Sequence, residues 1–157
     1  SRAKGMKNTV CIMNGNDTTM DLIPVLDRIC ALDTLDNIGS DPYWISGGND
    51  PYEFVYKGAR WNIDIANRYK KDHNIWIQTY DNPLGREEDI ITAADAAYDA
   101  GARTILAWGY YGSASNNYRA QSPLVVRAKT SEAFCRIWDR ERDRLRQESR
   151  RKLGLPD

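Results

Sequence analysis

The sequence predicts an α/β fold in which four β-strand/α-helix units share one parallel sheet. Four short runs of apolar and aromatic residues are spaced along the chain, and a helical pattern follows each of them. Such short, nearly continuous apolar runs are typical of strands that are buried on both faces, as in parallel sheets. Because strands that alternate with helices form βαβ units, we expect all four strands to run in the same direction.

The predicted strands begin near residues 9, 35, 74 and 103. Three of them are clear apolar runs, at residues 9–13, 74–78 and 103–108. The second run, at residues 35–38, is interrupted by Asp36 and Asn37. It is predicted to be a strand because it lies between two helical patterns in the alternating order of strands and helices.

The first two predicted helices span residues 18–32 and 52–72. Thr18 and Asp21 resemble a capping box, and Pro24 suits the first turn of a helix that begins near Ile23. The second helix has an apolar stripe that predicts one buried face.

The third predicted helix carries acidic residues 87–89 in its first turn, where they complement the helix dipole, and it stops at Gly101. The fourth is capped by Thr130 or Ser131. Its apolar side chains are predicted to face inward: Phe134, Ile137, Trp138 and Leu145. Residues 140–157 are mostly charged and are expected to form a solvated helix end.

The chain of 157 residues suits a single domain, residues 1–157, because no linker or low-complexity segment divides it. Its net charge of zero argues against nucleic-acid or anionic-membrane partners, and no apolar run reaches the roughly 20 residues of a membrane span. Cys11, Cys30 and Cys135 match neither a disulfide framework nor a metal spacing, so we expect buried free thiols. A reducing compartment is therefore favoured, which makes a cytoplasmic location the expectation.

Four βα units can form half of a (β/α)8 (TIM) barrel or an open, flavodoxin-like doubly wound sheet. In both, chemistry gathers at the carboxyl ends of the strands, which here are rich in aromatic and polar residues. Aromatic rings stack on the apolar faces of sugars, while amides and carboxylates pair with hydroxyl groups. We therefore expect a carbohydrate partner bound by Asn14, Asn16, Tyr43, Trp44, Gln78, Tyr80, Trp108 and Tyr110, with Asp41 as the candidate catalytic carboxylate.

Three segments of the chain resemble strands of the clan-A glycoside hydrolases, which are retaining (β/α)8-barrel enzymes. Residues 36–43 resemble their sixth strand, which brings a tyrosine toward the site, and residues 75–80 resemble their seventh. Residues 105–110 resemble their eighth, which carries a stacking tryptophan. The likeness spans roughly residues 8–140 and implies the C-terminal half of such a barrel, units five to eight.

One departure from that family concerns the catalytic carboxylates. The family places its nucleophilic Glu at the end of the seventh strand, where this chain has Gln78 and Thr79. Its acid/base Glu ends the fourth strand, which lies outside the segment of likeness. Retaining hydrolysis needs two carboxyl groups about 5 Å apart, and the sequence offers no evident pair.

Three hypotheses therefore remain open: a glycoside-hydrolase-like barrel portion, a non-catalytic carbohydrate-binding domain, and a half-barrel scaffold. The partner of such a half would be a second copy or a missing N-terminal barrel half. No cofactor or metal site is predicted, because the chain has one histidine, His73, and lacks phosphate-loop and dinucleotide-loop spacings.

Overall fold

The four strands form one parallel sheet in the order of the chain. The computed structural model describes residues 7–12, 27–45, 47–109 and 119–155. Strands β1 (Thr9–Ile12), β2 (Asn37–Ser40), β3 (Asp72–Ile77) and β4 (Ile105–Ala107) pair in the order β1-β2-β3-β4, and every pair is parallel. The predicted α/β fold of four βα units is therefore confirmed. This sequential order matches consecutive strands of a (β/α)8 barrel and differs from the 2-1-3-4-5 order of flavodoxin-like sheets.

The helices line one face of this sheet. They are α1 (Pro51–Arg68), α2 (Asp89–Asp99) and α3 (Pro123–Lys152), and residues 27–30 are also helical. Connections between parallel strands are right-handed, and here each new strand is added on the same side of the last one. The connecting helices must then fall on the same face, and α1 packs on α2 and α2 on α3.

The core fills the space between that face and the helices. Ile75 and Ile77 of β3 are fully buried in it, together with residues of all three helices. Burying side chains of this kind stabilises the fold by about 2 kcal/mol each. Because neighbouring residues in a strand point to opposite faces, Trp76 lies on the face away from the helices.

The second strand is the least accurate of the strand predictions. It spans Asn37–Ser40 rather than residues 35–38, because pairing with β1 and β3 decides its register. Leu35 is buried but precedes the strand, and its carbonyl accepts a 2.8 Å hydrogen bond from Lys71 Nζ. Gly39 leaves room for the side chain of Asn74, whose Oδ1 would have to move if a Cβ were present there.

The ends of the other strands also move by one or two residues. Strand β3 starts two residues earlier than predicted, and β4 is limited to Ile105–Ala107. Helix α1 begins at Pro51, with Asp50 Oδ1 accepting a 2.9 Å hydrogen bond from the backbone N–H of Glu53. It ends at Arg68, before the predicted residue 72, since Lys70 adopts a left-handed backbone (φ 54°) and Asp72 already belongs to β3.

The start of the fourth predicted helix was placed too late. Helix α3 begins at Pro123, and proline fits the first helical turn because its missing N–H needs no partner there. Thr130 and Ser131 lie inside the helix and are not caps. Their hydroxyls instead donate hydrogen bonds to the carbonyls of Val126 and Arg127, four residues earlier.

Two of the four apolar side chains of α3 were assigned to the wrong side. Phe134 and Ile137 pack against the core, but Trp138 is 67 % exposed and Leu145 is 47 % exposed. Trp138 lies level with α2, since Arg136 and Arg140 on either side of it pair with Asp95, so its ring is on the outer face of α3. Leu145 follows Glu141, which bonds to Tyr98 near the end of α2, and lies in the part of α3 that extends past its shorter neighbour. The charged end of α3 is exposed from Leu145 to Gln147 and from Ser149 to Leu155, in agreement with the prediction.

The cysteine prediction holds for one thiol in three. Cys30 is buried, whereas Cys11 and Cys135 are exposed, and all three are free. Cys11 alternates with Val10 and Ile12 in β1, so it points away from the helix-side core. Within the described ranges, no helix combines the length and apolar character of a membrane span.

Candidate functional site

The candidate site begins where β2 ends. The backbone N–H of Asp41 donates to the carbonyl of Ile12 at 3.3 Å, which continues the β1–β2 pairing past Ser40. The chain then turns sharply, and the N–H of Tyr43 donates to the carbonyl of Asp41 at 2.8 Å. This turn brings the side chain of Tyr43 back toward the Asp41 carboxylate.

The hydroxyl of Tyr43 lies close enough to the carboxylate of Asp41 for the two groups to interact. Burial raises the pKa of Tyr43 well above its usual range, and the negative charge of Asp41 raises it further. The phenol therefore stays protonated and can donate to the carboxylate. The Asp41 Oδ1 atom is buried.

Two further side chains join this pair. The ring of Tyr80, which follows β3, meets the ring of Tyr43 edge to face with centroids 5.1 Å apart. Partial desolvation and then the charge of Asp41 raise the pKa of the Cys11 thiol to about 11, so Cys11 is a neutral neighbour at physiological pH. We call Cys11, Asp41, Tyr43 and Tyr80 the strand-end cluster.

Gln78 lies beneath the cluster and connects its two loops. Its side chain is 1 % exposed. Oε1 accepts a 3.3 Å hydrogen bond from the N–H of Ile45, and Nε2 donates one of 3.3 Å to the carbonyl of Tyr80. The side-chain amide of Gln78 thus forms hydrogen bonds to the backbone of both loops. Gln78 therefore fixes the position of the loop after β2 relative to the loop after β3.

Trp108 extends the site along β4. The backbone N–H of Trp108 donates to the carbonyl of Ile77 at 3.1 Å, and the backbone carbonyl of Trp108 accepts a hydrogen bond from the hydroxyl of Thr79. The indole ring packs edge to face on Trp76, with centroids 5.6 Å apart, and is 51 % exposed. An exposed ring held in place by a second ring is a suitable surface for stacking.

The remaining residues named from the sequence fall elsewhere. Trp44 is fully buried in the helix-side core, so its ring offers no face to a ligand. Asn14, Asn16 and Tyr110 lie outside the described residues. The structure thus brings Asp41, Tyr43 and Tyr80 together.

Sequence reasoning missed two residues of this region. Cys11 was assigned to the core because its run is apolar; its position between two inward-facing residues, Val10 and Ile12, was the signal for the opposite face. Thr79 was considered only as a replacement for a carboxylate. Its hydrogen bond to Trp108 depends on the pairing of β3 with β4, which no local pattern reveals.

Other chemistries have little support in the described part of the chain. No group of three or more His, Cys, Asp or Glu residues is placed there to hold a metal ion. His73 lies near the start of β3, at the end of the sheet opposite the cluster. Burial lowers its pKa, which favours the neutral imidazole.

Comparisons with known proteins give no match: no family model, no curated protein and no solved structure is similar to this chain. The function proposed below therefore rests on the residues of the strand ends.

Proposed function

We propose that this chain is a glycoside-hydrolase-like, carbohydrate-active barrel portion that binds a saccharide across the carboxyl ends of β2, β3 and β4. The observation that supports the proposal best is the convergence of Asp41, Tyr43 and Tyr80 at two neighbouring strand ends. Trp108, half exposed on the next strand, adds a stacking surface to a carboxylate and two phenols. Rings beside directional hydrogen-bonding groups suit the mixed apolar and hydroxyl surface of a pyranose.

The roles proposed for the four side chains differ. Trp108 stacks on the apolar face of the sugar, and the Asp41 carboxylate accepts hydrogen bonds from its hydroxyl groups. Tyr43 orients Asp41 through its hydroxyl, and Tyr80 supports the ring of Tyr43. Gln78 acts from below, by holding the backbone of both loops.

Hydrolysis would need a second carboxyl group near Asp41. Among residues 40–45, 78–82 and 107–109 the acidic residues are Asp41 and Asp81, and Asp81 is exposed on a left-handed backbone (φ 50°). Gln78 at the end of β3 favours a second candidate function, a non-catalytic carbohydrate-binding domain. The two candidates share the saccharide site and differ in whether another carboxylate completes it.

Saccharide binding by the purified chain tests the proposal. Calorimetric titration with a panel of pyranosides and β-linked disaccharides should detect binding, which Trp108→Ala should abolish and Asp41→Asn should weaken about tenfold, a loss of roughly 1.4 kcal/mol. Trp138→Ala is the matched control, because Trp138 is also exposed but lies in the middle of α3. The absence of any saccharide binding, or an equal loss in both tryptophan variants, would exclude the site.

Hydrolysis of aryl glycosides then separates the two candidate functions. Turnover that is lost in Asp41→Asn supports an enzyme. Saccharide binding without turnover supports the binding domain.

A further inference from the structure

The face of the sheet that points away from the helices carries a pronounced size gradient. On β1 and β2 this face holds small residues, Cys11 and Gly39, which lie side by side in the sheet. On β3 this face holds Asn74, which covers Gly39, and Trp76. Trp76 pairs in register with Leu106 of β4, and the face continues into Trp108. The side chains on this face are therefore small on β1 and β2 and larger on β3 and β4.

This face and both sheet edges lack a covering layer among the described residues. Cys11 and Trp108 are exposed, Trp76 and Leu106 are half-buried, and the helix-side core contains none of the four. The outer edges of β1 and β4 are not paired within the described part of the chain. Parallel sheets are stable when both faces are buried, and open edges recruit further strands.

A second set of four parallel strands would cover the face and pair with both edges. Because β1 and β4 run in the same direction, four added strands can continue from β4 and return to β1, which closes an eight-stranded barrel. The interior of such a barrel is just wide enough to be filled by side chains. The size of the inward residues then decides which partner fits.

A second copy of this chain fits that interior poorly. In an eight-stranded barrel each strand lies opposite the fourth strand along, so a two-fold dimer places every inward side chain opposite its own copy. The side chain of Asn74 already covers Gly39, but Trp76 and Trp108 would each face their own copy and overfill the interior. Overpacking of this kind costs about 1–3 kcal/mol per site.

We propose that this open face and its two edges bind a non-identical half barrel of four βα units. Its inward residues are small opposite β3 and β4, so that Trp76 and Trp108 fit into the shared interior. The inference rests on the shape of the sheet face and stands whether or not the strand ends bind a saccharide.

Mass and tryptophan exposure of the chain alone provide the first test. We expect a folded monomer near 17.9 kDa by light scattering. Iodide should quench the emission of Trp108, isolated as the difference between the wild-type chain and Trp108→Phe. A stable dimer near twice that mass in which Trp108 is protected would overturn the proposal, because a second copy would then cover the face. A fusion to a monomeric solubility tag keeps the copy number measurable if the bare chain aggregates.

A volume-reducing variant tests the size argument directly. The double variant Trp76→Val, Trp108→Val removes the two large rings that prevent a second copy from covering the face. This variant should therefore shift from monomer to dimer as its concentration rises. Trp138→Val, on the surface of α3, is the control and should leave the mass unchanged. If the double variant keeps its fold by far-UV circular dichroism and stays monomeric at every concentration, the size gradient does not select the partner and the proposal fails.

Discussion

Tyr43 and Tyr80 come from the ends of neighbouring strands, and their rings meet edge to face with centroids 5.1 Å apart. The contact stabilises Tyr43 in the position from which its hydroxyl reaches Asp41. The ionisation of this phenol is therefore a direct report on the strand-end cluster.

Asp41→Asn should lower the pKa of Tyr43. Burial, the larger cause, remains in the variant, so the pKa should stay above the usual value of about 10. The folded-state pKa lies above the unfolded one, so the stability that this group contributes is complete below about pH 10 and is lost as the pH rises toward the folded pKa. NMR titration of ring-labelled tyrosine measures the shift, with Tyr43→Phe to assign the signal. An unchanged pKa would show that Asp41 and Tyr43 are not coupled.

Gln78→Leu should destabilise the fold by about 3 kcal/mol, because the N–H of Ile45 and the carbonyl of Tyr80 both lose their partner. Urea unfolding should show a lower midpoint with an unchanged slope. Gln121→Leu is the matched control: Gln121 is exposed, and its side chain accepts one 3.0 Å hydrogen bond from the N–H of Leu84. Its cost should stay below about 1 kcal/mol, and equal costs for both variants would contradict the role given to Gln78.

Glu141→Gln should make the fold less sensitive to acid. Hydrogen bonds from Arg144 and Tyr98 lower the pKa of Glu141 to about 2. A depressed pKa gives stability that is present above the unfolded pKa of about 4.3 and is lost as the pH falls through the folded value. Since the site is partly solvated, the effect should be about 1 kcal/mol.

Unfolding midpoints measured from pH 6 down to pH 2 check this. The wild-type and Glu141→Gln curves should converge as the pH falls, and parallel curves would argue against the coupling. Tyr98→Phe, which removes one of the donors to Glu141, should give an intermediate result.

Gly101→Ala should cost about 1–2 kcal/mol through the backbone alone. Gly101 follows helix α2 with φ 106°, a conformation in which a Cβ is strained. The space around it is open, since an added Cβ would meet its nearest atoms, on Arg60 and Ile63, at an ordinary 3.9 Å. Gly109→Ala, at a site with open space and no positive φ, should change the thermal midpoint little. Equal shifts for the two glycines would exclude the backbone explanation.

The parts of the fold that the sequence predicts well are those in which one local pattern is sufficient. Residues 74–78 read as a strand because Ile75 and Ile77 supply apolar side chains to the core. Gly101 reads as a helix stop because few other residues adopt its backbone. The start of α3 failed because Thr130 and Ser131 satisfy a capping pattern while Pro123 begins the helix seven residues earlier.

The strand-end cluster was predicted only in outline. Parallel pairing places Asp41 and Tyr80 at the carboxyl end of the sheet, so their proximity could be anticipated from the strand assignment. The burial of Trp44 and Gln78 could not, because it depends on how the loop after β2 folds back over the helix-side core. An aromatic ring or amide beside a strand end looks the same in sequence whether it faces solvent or the interior.

The sequential order of the strands has a consequence for how the chain acquires its structure. Among the described strands, β2, β3 and β4 each pair with the strand before them, roughly 30 residues back, so the contact order is low for a sheet protein. No strand has to wait for a distant segment before it finds a neighbour. During synthesis each βα unit can therefore dock on the previous one as it leaves the ribosome. The edge that each new strand leaves open is the one that the next unit uses, while the outer edge of β1 stays unpaired within the described part of the chain.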